Sequence, residues 1–302
     1  MKSFKKFIRS DKFFQTVISV ILCVFAVTQL YPLIYVVSAS LSAPSAVSSG
    51  KLVLFPVDFT LEGYEYILQH KDIWIGYGNT ILYTVLGTIV NLIVTLTCAY
   101  ALSREEVEGK KILMIFFMIT MYISGGLIPE YLNVKSLGLL NTRTYMIIGG
   151  ALSVYNMIVA RTFFVNSIPN EIIEAAKIDG CSDFGTFLKI VLPLSKACVA
   201  VQILYYGVAR WNAYFNAMIY LDDRDKYPLQ MFLREILIQS KISMDAAMAM
   251  TAEEAKLMAE MAERADLMKY CVIVVSTLPM MIIYPKLQKF FEKGVMIGGV
   301  KG

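Results

Sequence analysis

Charge is scarce in this chain of 302 residues: Asp, Glu, Lys and Arg supply 17% of it against 57% apolar residues, and the mean hydropathy is +0.59. A water-soluble domain carries more charge, so the composition places the chain in a lipid environment. Histidine is nearly absent. His70 stands alone and reads as a solvated surface residue, and no Cys, His and Asp cluster has metal-ligand spacing, so no metal site is expected. Neither Gly50-Lys51 nor Gly109-Lys110 is followed by Ser or Thr or has the required Gly before it. That excludes a P-loop, so the chain is expected to have no catalytic residue and not to hydrolyse ATP by itself. The five cysteines, Cys23, Cys98, Cys181, Cys198 and Cys271, are an odd number and imply no disulfide framework. The net charge of +4 makes no case for nucleic-acid binding.

What is present is apolar sequence in long runs. Six stretches, at about 14–39, 77–102, 112–128, 144–165, 195–221 and 268–286, can each cross about 30 Å of hydrocarbon, which takes around 20 helical residues. The third ends in Gly125 and Gly126, which leaves its outer boundary open. The first could be mistaken for a secretory signal, but its apolar run is too long for one. The expected fold is all-α, a polytopic membrane protein with six transmembrane helices. An even number puts both termini on one side. Sixteen Lys and Arg lie in the N-terminal arm, the loop after the second span, the 161–196 region and the tail; eleven lie in the opposite loops, seven of them in one long segment. Positive residues favour the cytoplasm, so both termini are expected there. The organisation read from this is an arm at 1–13, a membrane domain at 14–286 with a cytoplasmic loop at 166–194 and an extracellular loop at 222–267, and a cytoplasmic tail at 287–302.

The cytoplasmic loop holds the most informative segment, EAAKIDGCSDFGTFLKIVLP from Glu174 to Pro193. It reads as a helix, turn, helix knob. Asn170 is expected to cap a first helix running from about Glu171 to Asp179, and Gly180 to end it in the left-handed conformation. Ser182 is expected to cap a second helix. There Phe184, Phe187, Leu188 and Val191 fall at i, i+3, i+4 and i+7, which predicts one apolar stripe before Pro193 stops the helix.

These residues resemble the EAA loop of binding-protein-dependent ABC importers. In that family the loop is the coupling helix, seated on a cytoplasmic ATPase subunit. The resemblance implies contact and turn roles for Glu174, Ala175, Ala176, Asp179 and Gly180, with Phe184 and Phe187 in the same knob. Small side chains at Ala175 and Ala176 would let a partner approach the backbone. The runs YPLIYVVSASLSAP, SGGLIPEYLNVKSLGLLNT, RWNAYFNAMIYLDDRDKYPLQMFLREIL and YPKLQKFFEKGVMIGGVKG are similar to carbohydrate-importer permeases that handle complex-polysaccharide fragments. The resemblance implies a type I, maltose-importer-like permease fold in a bacterial cell membrane. It also implies an assembly with a second, related permease, two ATPase subunits that bind ATP and Mg, and an extracellular solute-binding protein delivering oligosaccharide. By the same likeness the tail residues Gly298, Gly299, Lys301 and Gly302 would reach the ATPase, although a glycine-rich tail can equally be frayed. Two departures stand out: Cys181 replaces the usual Ala, and Ala197 the second Pro of the final LPL.

The fifth span is the most polar. Gln202, Tyr205, Ala209, Asn212 and Asn216 step by three and four residues and so share a helical face, with Tyr206, Arg210 and Tyr214 on the adjacent one. Amides beside aromatic rings suit a sugar; they also tie helices together. Arg210 is a charge within a span and requires a counter-group or a cavity. It is expected either to face the route and favour carboxylate-bearing, uronate-containing sugars, or to bond to a neighbouring helix. In the 222–267 loop, Thr251 and Glu254 form a capping box for a helix that would dock the binding protein or lie over the second permease. A self-contained secondary transporter is the alternative. It would show repeated halves or acids in the spans, and neither is present in the sequence.

Overall fold

The computed structural model describes residues 11–246 and 267–285. Among these residues the regular elements are all helices, and the one β-type pairing is an isolated bridge between Ser42 and Phe59. Three helices are long and apolar enough to cross a membrane uninterrupted: α1 (Asp11–Ser40), α3 (Lys71–Ser103), and the last described helix, Leu267–Pro285. They correspond to the first, second and sixth runs of the sequence.

The other three runs are broken, so the expected six spans are not all continuous helices. In the third, α4 (Lys110–Tyr122) and α5 (Leu127–Ser136) meet at 113°. Between them Gly126 takes φ +84°, a conformation open to glycine at little cost. The helix of the 112–128 run therefore ends at Tyr122. In the fourth, α6 (Arg143–Ile148) stops at Gly149 and Gly150, the latter at φ +64°, and α7 (Val154–Ser167) restarts where the Ser153 hydroxyl accepts from Asn156 N. In the fifth, α10 (Lys196–Trp211) leaves the preceding helix at 85° and ends at Asn212 before α11 (Phe215–Tyr220). Counting each bent pair as one span gives up to five spans, which is compatible with six. Hydropathy averages over the breaks and cannot see them.

Among the described residues two compact units are present, 11–70 with 233–246 and 267–277, and 71–232 with 278–285. In the first, α2 (Glu62–Gln69) packs through Gly63, where a Cβ would come within 2.6 Å of Cys271 Sγ. Ser40 Oγ pairs with Tyr64 Oη at 2.7 Å, and Cys271 Sγ donates to Ser40 O at 3.3 Å. His70 caps the end of α2, exposed and edge-on to Tyr66.

In the second unit α3 is the central post, packed against α6, α7 and α10. Near its start, Asn79 donates to Asp225 O and Tyr227 O at 2.8 and 3.0 Å, and Tyr83 to Lys226 O at 2.8 Å. These bonds pin the irregular 221–228 segment. Near its other end, Leu96, Ala99 and Tyr100 join Met157, Phe164, Ile173, Phe187 and Val191 in one buried cluster. The break in the fourth run sits against the middle of α3. Freed backbone groups in an apolar setting need partners, and side chains supply them here. Asn91 Nδ2 donates to Gly150 O and Ala151 O at 2.8 and 2.7 Å, and the Tyr206 hydroxyl accepts from Ser153 N at 3.1 Å.

Candidate functional site

The knob is built by local rules. α8 (Asn170–Ile178) follows Pro169, which sits at the N-cap with no side-chain cap. Asn170 is the first helical residue, and its amide donates to Glu105 Oε1 at 3.5 Å instead of capping. At the other end Gly180 N bonds to Lys177 O and Cys181 N to Ala176 O, with Gly180 at φ +77°. This is a Schellman closure, which needs a left-handed residue at that point. Ser182 Oγ then accepts from Gly185 N at 3.2 Å and starts α9 (Asp183–Thr186).

Beyond α9 the expected single apolar stripe is not what forms. Phe187–Val191 is a π-turn in which Leu192 N reaches back five residues to Phe187 O, and the chain stays helical through Pro193 to Leu194. Proline has no N–H to offer the preceding turn, so the wider ladder is a natural solution. The stripe divides into two pairs. Phe187 and Val191 are buried at 4% and 0% exposure, while Phe184 and Leu188 stand out at 66% and 46%.

Other expected residues divide the same way. Glu174, Ala175 and Asp179 are exposed, but Ala176 is buried beside Ile173. Successive helical residues lie about 100° apart, so only Ala175 of the pair faces outward. The knob seats on the C-terminal end of α3: the rings of Phe187 and Tyr100 lie 5.0 Å apart, and Arg104 stands over Tyr100 at 5.1 Å. Tyr100, Arg104, Glu106, Lys177, Asp183 and Phe184 line a cleft of about 460 Å³ there. Lys177 Nζ lies 2.5 Å from Glu106 Oε1, an ion pair between positions 71 residues apart that no sequence pattern signals.

The hydrogen bond from Lys177 holds the Glu106 carboxyl below the usual carboxylate range and pushes Lys177 up. A lowered folded-state value means that the pair's contribution is present above the unfolded value of 4.5 and is lost as pH falls through the lower, folded-state value. Both side chains are well exposed, so that contribution is small. Hydrogen exchange of the α8 amides is therefore expected to be the same in Glu106→Gln as in the parent between pH 6 and 8. A large difference in that window would show that the ion pair, rather than Phe187, seats the knob.

The fifth run's polar residues do not all share a face. Gln202 is fully buried, with Nε2 donating to Asn156 O at 3.0 Å. Tyr205, Ala209 and Asn212 are exposed and remain on one side, Asn212 bonding back to Val208 O. Asn216 lies past the break in α11, out of register with them. Tyr206 is buried against Thr95 Oγ1 at 2.6 Å. Arg210 has its partners within the protein: Nε donates to Asn91 Oδ1 at 3.0 Å, Nη1 to Met146 O at 2.7 Å and Nη2 to Gly149 O at 2.8 Å. Asn91, which sequence reasoning missed, joins this clamp from the middle of α3. Gly298, Gly299, Lys301 and Gly302, with Thr251 and Glu254, lie outside the described residues. Among the described residues no group of three or more His, Cys, Asp or Glu could hold a metal ion.

Residues 73–297 match the family described as binding-protein-dependent transport system inner membrane component. The chain is 40% identical over 273 residues to protein LplC of Bacillus subtilis (strain 168), spanning 90% of each chain. It is 39% identical over 292 residues to the polygalacturonan/rhamnogalacturonan transport system permease protein YtcP of the same organism, spanning 97% of this chain and 99% of that one. It is also similar to a chain in the crystal structure of a bacterial ABC transporter involved in the import of the acidic polysaccharide alginate, with a TM-score of 0.82 and 36% identity over 94% of this chain and 98% of that one.

Proposed function

Because this chain belongs to the family of binding-protein-dependent transport system inner membrane components, we propose that it is the membrane-spanning subunit of an ATP-driven importer of oligosaccharides, acidic ones among them. Full-length similarity to a polygalacturonan/rhamnogalacturonan permease and to an alginate importer carries the substrate reading. The observation that carries the coupling reading is the knob itself. It is rooted by Phe187 and Val191, closed by Gly180, and presents Glu174, Ala175, Asp179, Ile178 and Phe184 outward.

An exposed apolar group such as Ile178, at 86% exposure, next to carboxylates is the composition of a surface that docks on another protein. One of two ATPase subunits carrying ATP and Mg would grip it, a second permease would complete the pathway, and an external binding protein would deliver the sugar. The Lys and Arg distribution favours both termini and the knob on the cytoplasmic side. Closure of the ATPases would move the knob, and through the Phe187–Tyr100 contact it would pull on α3, giving alternating access.

Co-purification from the native membrane tests this. A second permease and an ATPase are expected to stay with the tagged chain, and Glu174→Arg is expected to release the ATPase while keeping the permease. Recovery of the chain without any ATPase under several gentle conditions would favour a self-contained transporter.

A further inference from the structure

Arg210 is a membrane-embedded cation whose solvation comes from dipoles. Its hydrogen-bond partners are the Asn91 amide oxygen and the carbonyls of Met146 and Gly149, and among the described residues no carboxylate lies within ion-pair distance of it. Two of those carbonyls end α6, so the guanidinium occupies the negative end of a short helix. Gly87 makes the approach possible, since a Cβ there would stand 2.9 Å from Arg210 Nε. Asn91 is itself held by its bonds to Gly150 O and Ala151 O, so the clamp is built from both sides.

Carbonyl dipoles can solvate a charge without cancelling it. Arginine does not deprotonate in proteins, so the site keeps a full positive charge through every step. A charge in a medium of low dielectric constant acts over roughly 10 Å with little screening. The exposed face formed by Tyr205, Ala209 and Asn212 lies on the same helix, within two residues of Arg210 on either side in the case of Ala209 and Asn212.

Building on the importer reading above, we propose that Arg210 is a specificity-determining residue that favours anionic, uronate-bearing sugars through its charge, held in the Asn91–Met146–Gly149 clamp with no carboxylate at ion-pair distance among the described residues. The break in the fourth run then has two consequences. It frees carbonyls that solvate the arginine, and the arginine fixes the backbone at the break. A neutral residue at 210 would lose the preference for acid, while lysine would keep the charge and lose part of the clamp.

The test uses the assembled transporter in proteoliposomes with its binding protein inside or outside as orientation requires. The probes are a uronic-acid trisaccharide and its methyl ester, which has the same sugar framework without the charge. The parent is expected to favour the acid. Arg210→Gln is expected to raise KM for the acid about tenfold and leave the ester unchanged, and Arg210→Lys to keep the preference with a lower kcat. Should Arg210→Gln fail to assemble, Ala209→Asp serves instead: a carboxylate on the exposed residue beside Arg210 offsets the charge without touching the clamp, and the acid preference should again disappear.

Equal loss for acid and ester in Arg210→Gln or Ala209→Asp would reduce Arg210 to a structural tie and overturn the proposal. Loss of the preference in Arg210→Lys would overturn it too, because the geometry of the guanidinium would then matter and not its charge. Uptake of neither probe by the parent would contradict the oligosaccharide reading itself, and the proposal with it.

Discussion

Phe187→Ala is expected to detach the knob from the helices that carry it, costing about 3–5 kcal/mol, the usual range for emptying a buried phenylalanine site. Phe187 is 4% exposed, 5.0 Å from the Tyr100 ring, and shares its cluster with Phe164, Ile173 and Val191. Ile173 and Val191 stay in the cluster but are smaller and leave the Tyr100 ring uncovered, and exposed polar contacts such as Lys177 with Glu106 add little. Hydrogen exchange of α8 should rise toward that of an unanchored segment, and ATPase activity should lose its dependence on sugar. Phe184→Ala is the informative companion. Phe184 is 66% exposed, so its loss should leave the melting of the purified chain unchanged and weaken only the hold of the ATPase. Equal destabilisation by both substitutions would show that the two rings belong to one stripe, contrary to their difference in burial.

The second large effect is expected at Gly180. A Cβ at this residue would meet nothing within 4 Å, so the barrier to substitution is the backbone itself, held at φ +77°. Left-handed geometry costs an L-residue roughly 1–2 kcal/mol, more when it is β-branched. Gly180→Val should therefore open the Schellman closure, swing α9 away from α8 and reduce sugar-dependent ATP hydrolysis at least tenfold, the change that about 1.4 kcal/mol produces in a docking equilibrium. Asn tolerates this conformation, so Gly180→Asn should retain most of the activity. Equal failure of Val and Asn would point to direct contact between the partner and the bare glycine backbone instead.

These two sites also mark where sequence was sufficient and where it was not. The turn at Gly180 and the cap at Ser182 are decided by residues a few positions apart, so a linear reading finds them. α1, α3 and the Leu267–Pro285 helix are likewise legible, because their apolar runs are long enough to stay helical even across Pro32 and Pro279. The breaks are different in kind. An interruption at Gly149 and Gly150 is tolerable only because Asn91, 59 residues before Gly150, and Arg210, 61 residues after Gly149, satisfy the freed carbonyls. No window of sequence contains that arrangement. The same holds for Arg210, where the residue type announced a need for partners without naming them. The i, i+3 spacing of Phe184 and Phe187 marks one broad helical side, but only packing decides that Phe187 lies in the cluster and Phe184 at its exposed edge.

The most direct test of the account is uptake into proteoliposomes. This chain would be reconstituted with its second permease, the ATPase and the external binding protein, and a labelled uronic-acid oligosaccharide would be followed with and without ATP. The account predicts accumulation that requires ATP, the binding protein and an intact Gly180, and none from the chain alone under an ion gradient. Accumulation driven by a proton or sodium gradient in vesicles holding only this chain would contradict it.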